Sequence, residues 1–279
     1  MNFISALMLG ALQGLTEFLP VSSSGHLVLA QHFLKVREAG LFYDVMLHVG
    51  TLLATVWVFR RDIGALLRSL IGNPAGDGPE WLATGTATGT GGSGWKYVAF
   101  IIVGTIPAAL VGGLFEDQIE NLFHAPQFVC VNLFITGAIL LAASLKGRGE
   151  SLIVKSGWLV ALLIGCAQAL AIAPGISRSG ATIVAALLLG AGREEATRFS
   201  FLLSIPAILG AAALGAKDLS AAEVSGLALP VAVGCAAAFA AGIAALHIVV
   251  AAVRGRRLAV FAPYCWVVAV AGLIGINYL

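Results

Sequence analysis

Long apolar runs alternate with short polar segments along nearly the whole chain. Six of these runs come close to the roughly twenty residues that a helix needs to cross a bilayer. They lie near 41–59, 97–115, 126–145, 199–216, 226–250 and 258–277. The runs are continuously apolar, whereas the strands of a membrane barrel alternate between apolar and polar residues. The pattern therefore predicts an all-α polytopic membrane protein with six transmembrane helices.

Two further apolar regions, 3–34 and 157–191, are interrupted in the middle by proline, glycine and serine. The interruptions read PVSSSG at 20–25 and PGISRSG at 174–180. Each half is about 12–16 residues long, which is too short to span a bilayer. Broken helices at membrane depth are stable only where their exposed backbone is buried in protein or lines a polar cavity. We therefore predict that each region forms a re-entrant broken-helix hairpin.

The two interrupted regions also match each other when the sequence is shifted by 155 positions. The identical pairs include Gly10 and Gly165, Gln13 and Gln168, Leu15 and Leu170, Ser22 and Ser177, Ser24 and Ser179, and Gly25 and Gly180. Broken helices that enter from opposite faces are typical of an inverted-topology repeat with its site at the repeat interface. We expect a single domain over 1–279, with repeat one at about 3–115, repeat two at about 157–250, and a last span at 258–277.

Composition and charge narrow the class further. The chain is 59% hydrophobic and only 11% charged, whereas soluble domains carry about 25% charged residues. This excludes a soluble globular enzyme and a disordered chain. The net charge is only +2, and no basic stripe occurs, so we expect no nucleic-acid partner.

Lysine and arginine positions predict how the chain is oriented. If the 60–96 loop is cytoplasmic and region 157–191 enters and leaves through one face, twelve of the sixteen Lys and Arg residues fall inside. Both termini and the entrance of the first hairpin then face outside. Residues 72–95 contain the low-complexity run ATGTATGTGGSG and are expected to form a flexible cytoplasmic loop.

Glu17 and Arg178 are ionised residues inside the interrupted regions. An unpaired charge at the bilayer centre costs about 2.5–3.5 kcal/mol on insertion scales, so neither should face lipid. In an inverted repeat they meet near the midplane, beside two helix N-termini that favour anions. Arg178 adds a bidentate donor suited to phosphate. Gln13 lies one turn before Glu17 on the same helical face, and the two offer oxygen ligands for a divalent cation.

Hydroxyl groups accompany these charges. They belong to Ser22, Ser23, Ser24, Ser177, Ser179 and Thr182. Together with His26 they supply hydrogen-bond donors and either a nucleophile or a proton carrier. The combination predicts a phosphate-processing pocket inside a membrane.

Simpler interpretations of these residues stay open. Glu17 and Arg178 would also suit a structural ion pair, the serines would suit helix caps, and His26 would suit a hydrogen-bonded core position. His48 either lines the pocket or caps a helix, and Asp44 is expected at the membrane interface.

The motifs QGLTEFLPVSSSGH at 13–26 and PGISRSGAT at 174–182 resemble the two signatures of the bacterial undecaprenyl pyrophosphate phosphatases of the bacitracin-resistance type. The stretches LHVGTLLA at 47–54 and RFSFLLSIPAILGA at 198–211 resemble that family as well. The resemblance implies hydrolysis of undecaprenyl pyrophosphate to undecaprenyl phosphate, the lipid carrier of cell-wall precursors, with release of inorganic phosphate. It also implies a multi-pass protein of the bacterial inner membrane, a site open to the outer face, and a Mg²⁺ or Ca²⁺ ion.

The resemblance also suggests roles for individual residues. Catalysis is expected from Glu17, Ser23, His26 and Arg178, phosphate binding from Ser22, Ser24, Ser177, Ser179 and Thr182, and metal binding from Glu17 and Gln13. Gln13 stands where some family members have glutamate, so Glu17 would do most of the metal binding. We expect Ser23 to attack the terminal phosphorus with His26 as proton carrier, or His26 itself to be the nucleophile.

Two other functions share part of these sequence features. A transporter or flippase for a phosphorylated lipid would use the same kind of inverted repeat, although transport needs no nucleophile. A phosphatidic-acid-type phosphatase would need a histidine six residues after the arginine, where this chain has Val184. The sequence leaves open the oligomeric state, including a homodimer.

Overall fold

The computed structural model describes residues 3–34, 40–71, 93–144, 153–215 and 221–278. In these ranges the chain folds into α-helices joined by short turns, which confirms the all-α prediction. The helices are α1 (Phe3–Phe18), α2 (Ser23–Leu34), α3 (Gly40–Val58), α4 (Arg60–Ile71), α5 (Ser93–Leu114), α6 (Glu116–Phe123), α7 (Pro126–Ala142), α8 (Ile153–Ser156), α9 (Trp158–Leu170), α10 (Arg178–Leu188), α11 (Arg193–Gly215), α12 (Ala221–Arg254) and α13 (Phe261–Tyr278). Most of the loop predicted at 72–95 lies outside the described residues, and its last three residues begin α5.

Within the described ranges, four helices are long and apolar enough to cross a membrane. They are Gly94–Leu114, Arg193–Ala213, Ala228–Arg254 and Leu258–Tyr278. A fifth span results if α6 and α7, which are bent by 95° at their junction, are counted together. The run at 126–145 forms only the 17 residues of α7, and the run at 41–59 gives the short apolar helix Tyr43–Val58. By length and composition the described chain therefore has four to five candidate spans, against the six predicted.

Both interrupted regions break where the sequence predicts. α1 ends at Phe18 and α2 begins at Ser23, while α9 ends at Leu170 and α10 begins at Arg178. The four helices have 16, 12, 13 and 11 residues. Proline disfavours a continuing helix because it has no backbone N–H and its ring clashes with the preceding turn. Pro107 and Pro206 nevertheless lie inside continuous helices, so the breaks depend on proline together with the glycine and serine residues beside it.

The breaks are built alike in both repeats. The Ser22 Oγ accepts a hydrogen bond from the Gly25 N–H at 3.3 Å, and the Ser177 Oγ accepts one from the Gly180 N–H at 3.1 Å. The residues that form these two bonds occupy equivalent positions under the 155-residue shift. In both cases a serine hydroxyl satisfies one of the free N–H groups at a helix start, so the sequence repeat is also a structural one.

The helices that precede the breaks pack against the other repeat. α1 lies against α12, and α9 lies against α5. The closest approach is at Gly10 and Gly165, where an added Cβ would overlap the backbone oxygens of Gly234 and Gly104 respectively. Small residues at such crossings allow the backbones to approach closely, which stabilises helix pairs in lipid. Each repeat therefore holds the other's broken hairpin in place.

Replacing Gly10 or Gly165 by alanine tests the packing of α1 against α12 and of α9 against α5. We expect Gly10→Ala and Gly165→Ala each to lower the free energy of unfolding by about 1–3 kcal/mol, because the added methyl group overfills a tight contact. The measurement is thermal unfolding of detergent-purified protein.

Gly64→Ala is the matched control, because a Cβ at Gly64 in α4 meets nothing within 4 Å. Alanine is the better helix former, so this variant should unfold at the wild-type temperature or slightly above it. Equal unfolding temperatures for all three variants would contradict the proposed packing.

Candidate functional site

Glu17 and Arg178 meet as an ion pair between the two repeats. The Arg178 Nη2 donates to the Glu17 Oε1, and Glu17 is only 6% exposed. Glu17 comes from the last turn of α1 and Arg178 from the first residue of α10. The prediction that the two charges come together is confirmed.

The other carboxylate oxygen of Glu17 is also surrounded by polar groups. The Gln13 Nε2 donates to the Glu17 Oε2 at 2.9 Å, and the Ser23 hydroxyl donates to the same oxygen. The His48 Nε2 lies 3.6 Å from it. Since the Ser23 proton is directed at Glu17, this carboxylate is placed to take that proton if Ser23 reacts.

The backbone at Ser22 has an unusual conformation that sets the direction of Ser23. Its φ is +69°, in the left-handed region that residues other than glycine seldom adopt. The His26 ring donates from Nδ1 to the Ser22 carbonyl oxygen at 2.7 Å, and the His26 N–H donates to the same oxygen at 3.2 Å. Such backbone persists where surrounding contacts hold it, commonly at functional sites.

The side chain of His26 forms hydrogen bonds with Ser22 and Tyr264. With Nδ1 donating to Ser22, its Nε2 accepts a hydrogen bond from the Tyr264 hydroxyl at 2.9 Å. Both ring nitrogens therefore have protein partners, and the role of His26 as a proton carrier beside Ser23 stays a prediction. The first-turn position of His26 was predicted correctly, but helical spacing does not fix the direction of the ring.

In the second repeat, α7 secures the backbone that leads to Arg178. The Asn132 Nδ2 donates to the Pro174 carbonyl at 2.7 Å, and the Thr136 hydroxyl donates to the Gly175 carbonyl at 2.8 Å. The Thr136 Oγ1 also accepts from the Ser177 N–H at 3.0 Å. These bonds fix the start of α10, so that Ser177 and Arg178 are presented to the same cavity as Glu17.

The cavity has a volume of about 650 Å³ and two chemically different parts. Its polar lining consists mainly of Glu17, Ser22, Ser23, Ser24, Asp44, His48, Gln168, Ser177 and Arg178. Its apolar lining comes mainly from α5 and α11, at 108–113 and 206–213. A cavity of this kind suits an amphiphile with an anionic head and an apolar body.

Ser179 and Thr182 were predicted to bind phosphate, but they lie behind the cavity lining. The Ser179 hydroxyl donates to the Leu19 carbonyl at 3.4 Å, and the Thr182 hydroxyl donates to the Arg178 carbonyl at 2.8 Å. The Thr182 hydroxyl also hydrogen-bonds to the Ser200 hydroxyl, and the Ser179 hydroxyl to the Ser177 hydroxyl at 3.3 Å. All these partners belong to the protein, so phosphate binding by Ser179 and Thr182 stays a prediction.

Sequence reasoning undervalued three residues that line the cavity. The sequence leaves the role of His48 open between lining the pocket and capping a helix, places Asp44 at the membrane interface, and uses Gln168 only to align the repeats. Asp44 accepts a hydrogen bond from the Gln31 Nε2 at 2.7 Å and lines the cavity; its position at the membrane interface stays a prediction. Asp44 and His48 are four residues apart, the same spacing as Gln13 and Glu17, and this spacing was the available signal.

The donor set around Glu17 fits a hard divalent cation only in part. Within the described residues, no three His, Cys, Asp or Glu side chains cluster to hold a metal. The Gln13 Oε1 is buried without a hydrogen-bond partner there, and it adds an oxygen beside the Glu17 carboxylate and the Ser23 hydroxyl. Mg²⁺ is commonly held by one carboxylate together with substrate phosphates, so these residues suit a cation that arrives with a phosphate ligand.

Comparison with known proteins places the chain in a family. Residues 6–271 match the model of the family described as bacitracin resistance protein BacA. An undecaprenyl-diphosphatase of Desulfatibacillum aliphaticivorans is 43% identical over 98% of this chain and 99% of its own length. Those of Desulfosudis oleivorans and Methanobrevibacter smithii are 44% and 40% identical, over 96% and 99% of this chain and 96% and 98% of their own lengths. The chain is thus a multi-pass membrane protein that belongs to the BacA family of bacitracin resistance proteins.

Proposed function

We propose that this protein hydrolyses undecaprenyl pyrophosphate to undecaprenyl phosphate and inorganic phosphate. One observation carries the proposal: the Glu17 carboxylate accepts hydrogen bonds from both Arg178 and Ser23. The Arg178 guanidinium is suited to binding phosphate, and the Ser23 hydroxyl is suited to acting as a nucleophile. The three groups line a cavity that is polar on one side and apolar on the other. The relatives named above carry this activity in their names.

The substrate fits the two parts of the cavity in one orientation. The prenyl tail lies along the small apolar residues of α5 and α11, where it displaces no hydrogen-bonded groups. The diphosphate lies at the polar end, facing the starts of α2 and α10. Helix N-termini favour anions through their free N–H groups and the helix dipole.

In the reaction, the Ser23 oxygen forms a bond to the terminal phosphorus as its proton moves to Glu17. The bond from that phosphorus to the bridging oxygen breaks, and undecaprenyl phosphate leaves with the bonding electrons. Water then attacks the phosphorus of the phosphoserine, and the bond from the phosphorus to the serine oxygen breaks. Glu17 returns its proton to that oxygen, which restores the serine, and inorganic phosphate is released. His26 acts here as a positioning residue, since its bond to the Ser22 carbonyl holds the turn that directs Ser23.

Arg178 stabilises the charge on the transferred phosphoryl group. Its hydrogen bond to Glu17 uses one guanidinium nitrogen, and a guanidinium has five N–H donors in a planar arrangement suited to phosphate oxygens. A bound Mg²⁺ or Ca²⁺, held by Glu17, Gln13 and the substrate, would supply further neutralisation of phosphate charge. Ser22, Ser24 and Ser177 add hydroxyl groups at the same end of the cavity.

The proposal includes a membrane topology of six spans and two re-entrant hairpins, in a bacterial inner membrane. The cavity is lined by the C-terminal halves of α5 and α11, at 105–113 and 206–213. The opposite ends of these helices carry Lys96, Arg193 and Arg198. Because basic residues favour the cytoplasmic side, this arrangement supports a site that opens to the outer face.

Phosphate release by detergent-purified protein tests the proposed hydrolysis. We expect inorganic phosphate to form from undecaprenyl pyrophosphate without a sealed membrane, and a chelator to stop its formation. Arg178→Ala should lower turnover by about 100- to 1,000-fold, as for loss of other groups that stabilise transition-state charge.

Lipid movement across proteoliposomes without phosphate release would instead favour the transporter alternative. Wild-type turnover by Arg178→Ala would contradict the role given to this residue. Undiminished turnover in the presence of a chelator would remove the divalent cation from the proposal.

Trapping the phosphorylated enzyme tests which residue is the nucleophile. We expect the phosphate on Ser23 and none after Ser23→Ala, as read by peptide mass spectrometry. His26→Asn should keep more turnover than His26→Ala, because the asparagine amide can replace the Nδ1–H donor to Ser22. Phosphate on His26, or equal inactivity of the two His26 variants, would contradict a positioning role.

A further inference from the structure

We propose that Gln168 binds the lipid-side phosphate of the diphosphate, the one that stays on the product. This inference rests on the proposed function and adds a substrate-binding residue to it. Gln168 lies on α9, near the break of the second repeat, and lines the cavity.

The first argument is that Gln168 has no hydrogen-bond partner within the described residues. Its side chain is buried, at 2% exposure, and neither its Nε2 nor its Oε1 makes a hydrogen bond there. Buried polar groups nearly always have a partner, and one without a partner requires an explanation. An amide that lines a substrate cavity is explained if its partner is the substrate.

The repeat shows why the protein itself offers Gln168 no partner. Its equivalent in the first repeat, Gln13, donates to Glu17 one helical turn later. Under the 155-residue shift, the position of Glu17 is occupied by Ile172. Gln168 therefore keeps the amide of the pair without the carboxylate, and a phosphate oxygen would accept the hydrogen bond that Glu17 accepts in the first repeat.

The position of Gln168 in the cavity indicates which phosphate it meets. Glu17, Ser23 and Arg178 surround the terminal phosphate in the proposed reaction. The residues next to Gln168 in the cavity wall, Ala171 and Ile172, belong to the apolar part. The lipid-side phosphate joins the terminal phosphate to the tail, so it lies at this boundary between polar and apolar walls.

A second polar group on this side of the cavity does not compete for the role. The Thr105 hydroxyl, on α5, already donates to the Ile101 carbonyl at 2.8 Å. Its hydrogen is committed to the helix backbone, whereas both amide hydrogens of Gln168 are available.

Gln168→Met is the direct test, because methionine is unbranched, similar in size and lacks the amide. A hydrogen bond to a charged group is worth about 1.5–3 kcal/mol, so KM for undecaprenyl pyrophosphate should rise about ten- to a hundredfold. Inhibition by added undecaprenyl phosphate should weaken by a similar factor, while inhibition by inorganic phosphate should not change. The unfolding temperature should stay the same or rise, because a buried amide without a partner is removed.

Cys166→Met is the matched control, since it places the same side chain on the exposed face of the same helix. It should leave KM and both inhibition constants unchanged. Gln168→Ala keeps the test usable if methionine prevents folding, and should show the same pattern of inhibition.

The outcomes separate this inference from the proposed function. No phosphate release by the wild-type protein would remove the proposed function. An active wild type with unchanged KM in the Gln168 variants would overturn only this inference. Equal weakening of inhibition by undecaprenyl phosphate and inorganic phosphate, or a lowered unfolding temperature with unchanged KM, would overturn it as well.

Discussion

The ion pair between the buried Glu17 and the partly buried Arg178 is the interaction on which the rest of the site depends. It joins the end of α1 in one repeat to the start of α10 in the other. Removing two charges from water is costly, and their attraction offsets that cost only with good geometry and additional hydrogen bonds. Here Gln13 and Ser23 supply those bonds to the carboxylate. The pair therefore fixes the relative position of the two broken hairpins and places the serine hydroxyl beside a base.

Divergence between the repeats produces one site instead of two. The serine caps at Ser22 and Ser177 are the same in both halves. The residue after each cap differs, being Ser23 in the first repeat and Arg178 in the second. The shared architecture brings the N-termini of α2 and α10 to one cavity. The difference between Ser23 and Arg178 gives one N-terminus a nucleophile and the other a side chain that donates hydrogen bonds to phosphate. Neither repeat carries the whole set of groups.

The sequence predicts features that depend on backbone chemistry and on the cost of isolated charge. Pro20 and Pro174 identify the broken helices, and the cost of an unpaired charge in lipid identifies the pairing of Glu17 with Arg178. The direction of a side chain cannot be predicted in this way, because it depends on packing partners that are distant in sequence. Thus the hydrogen bond between Tyr264 and the His26 Nε2 has no signal in the sequence near His26. The number of transmembrane spans stays a prediction, because the length of an apolar run does not fix where its helix begins and bends.

A double-mutant cycle on the ion pair tests the central claim most directly. Glu17→Gln and Arg178→Met each leave one charge without its partner. The cost is about 3–5 kcal/mol when the remaining charge is buried, as Glu17 is, and smaller for the partly exposed Arg178, whereas the double variant leaves neither charge. The measurement is the unfolding temperature of the four purified proteins in one detergent. Our account predicts two destabilised single variants and a double variant that recovers much of the loss. Additive effects of the two substitutions, with no recovery, would show that the pair does not join the repeats.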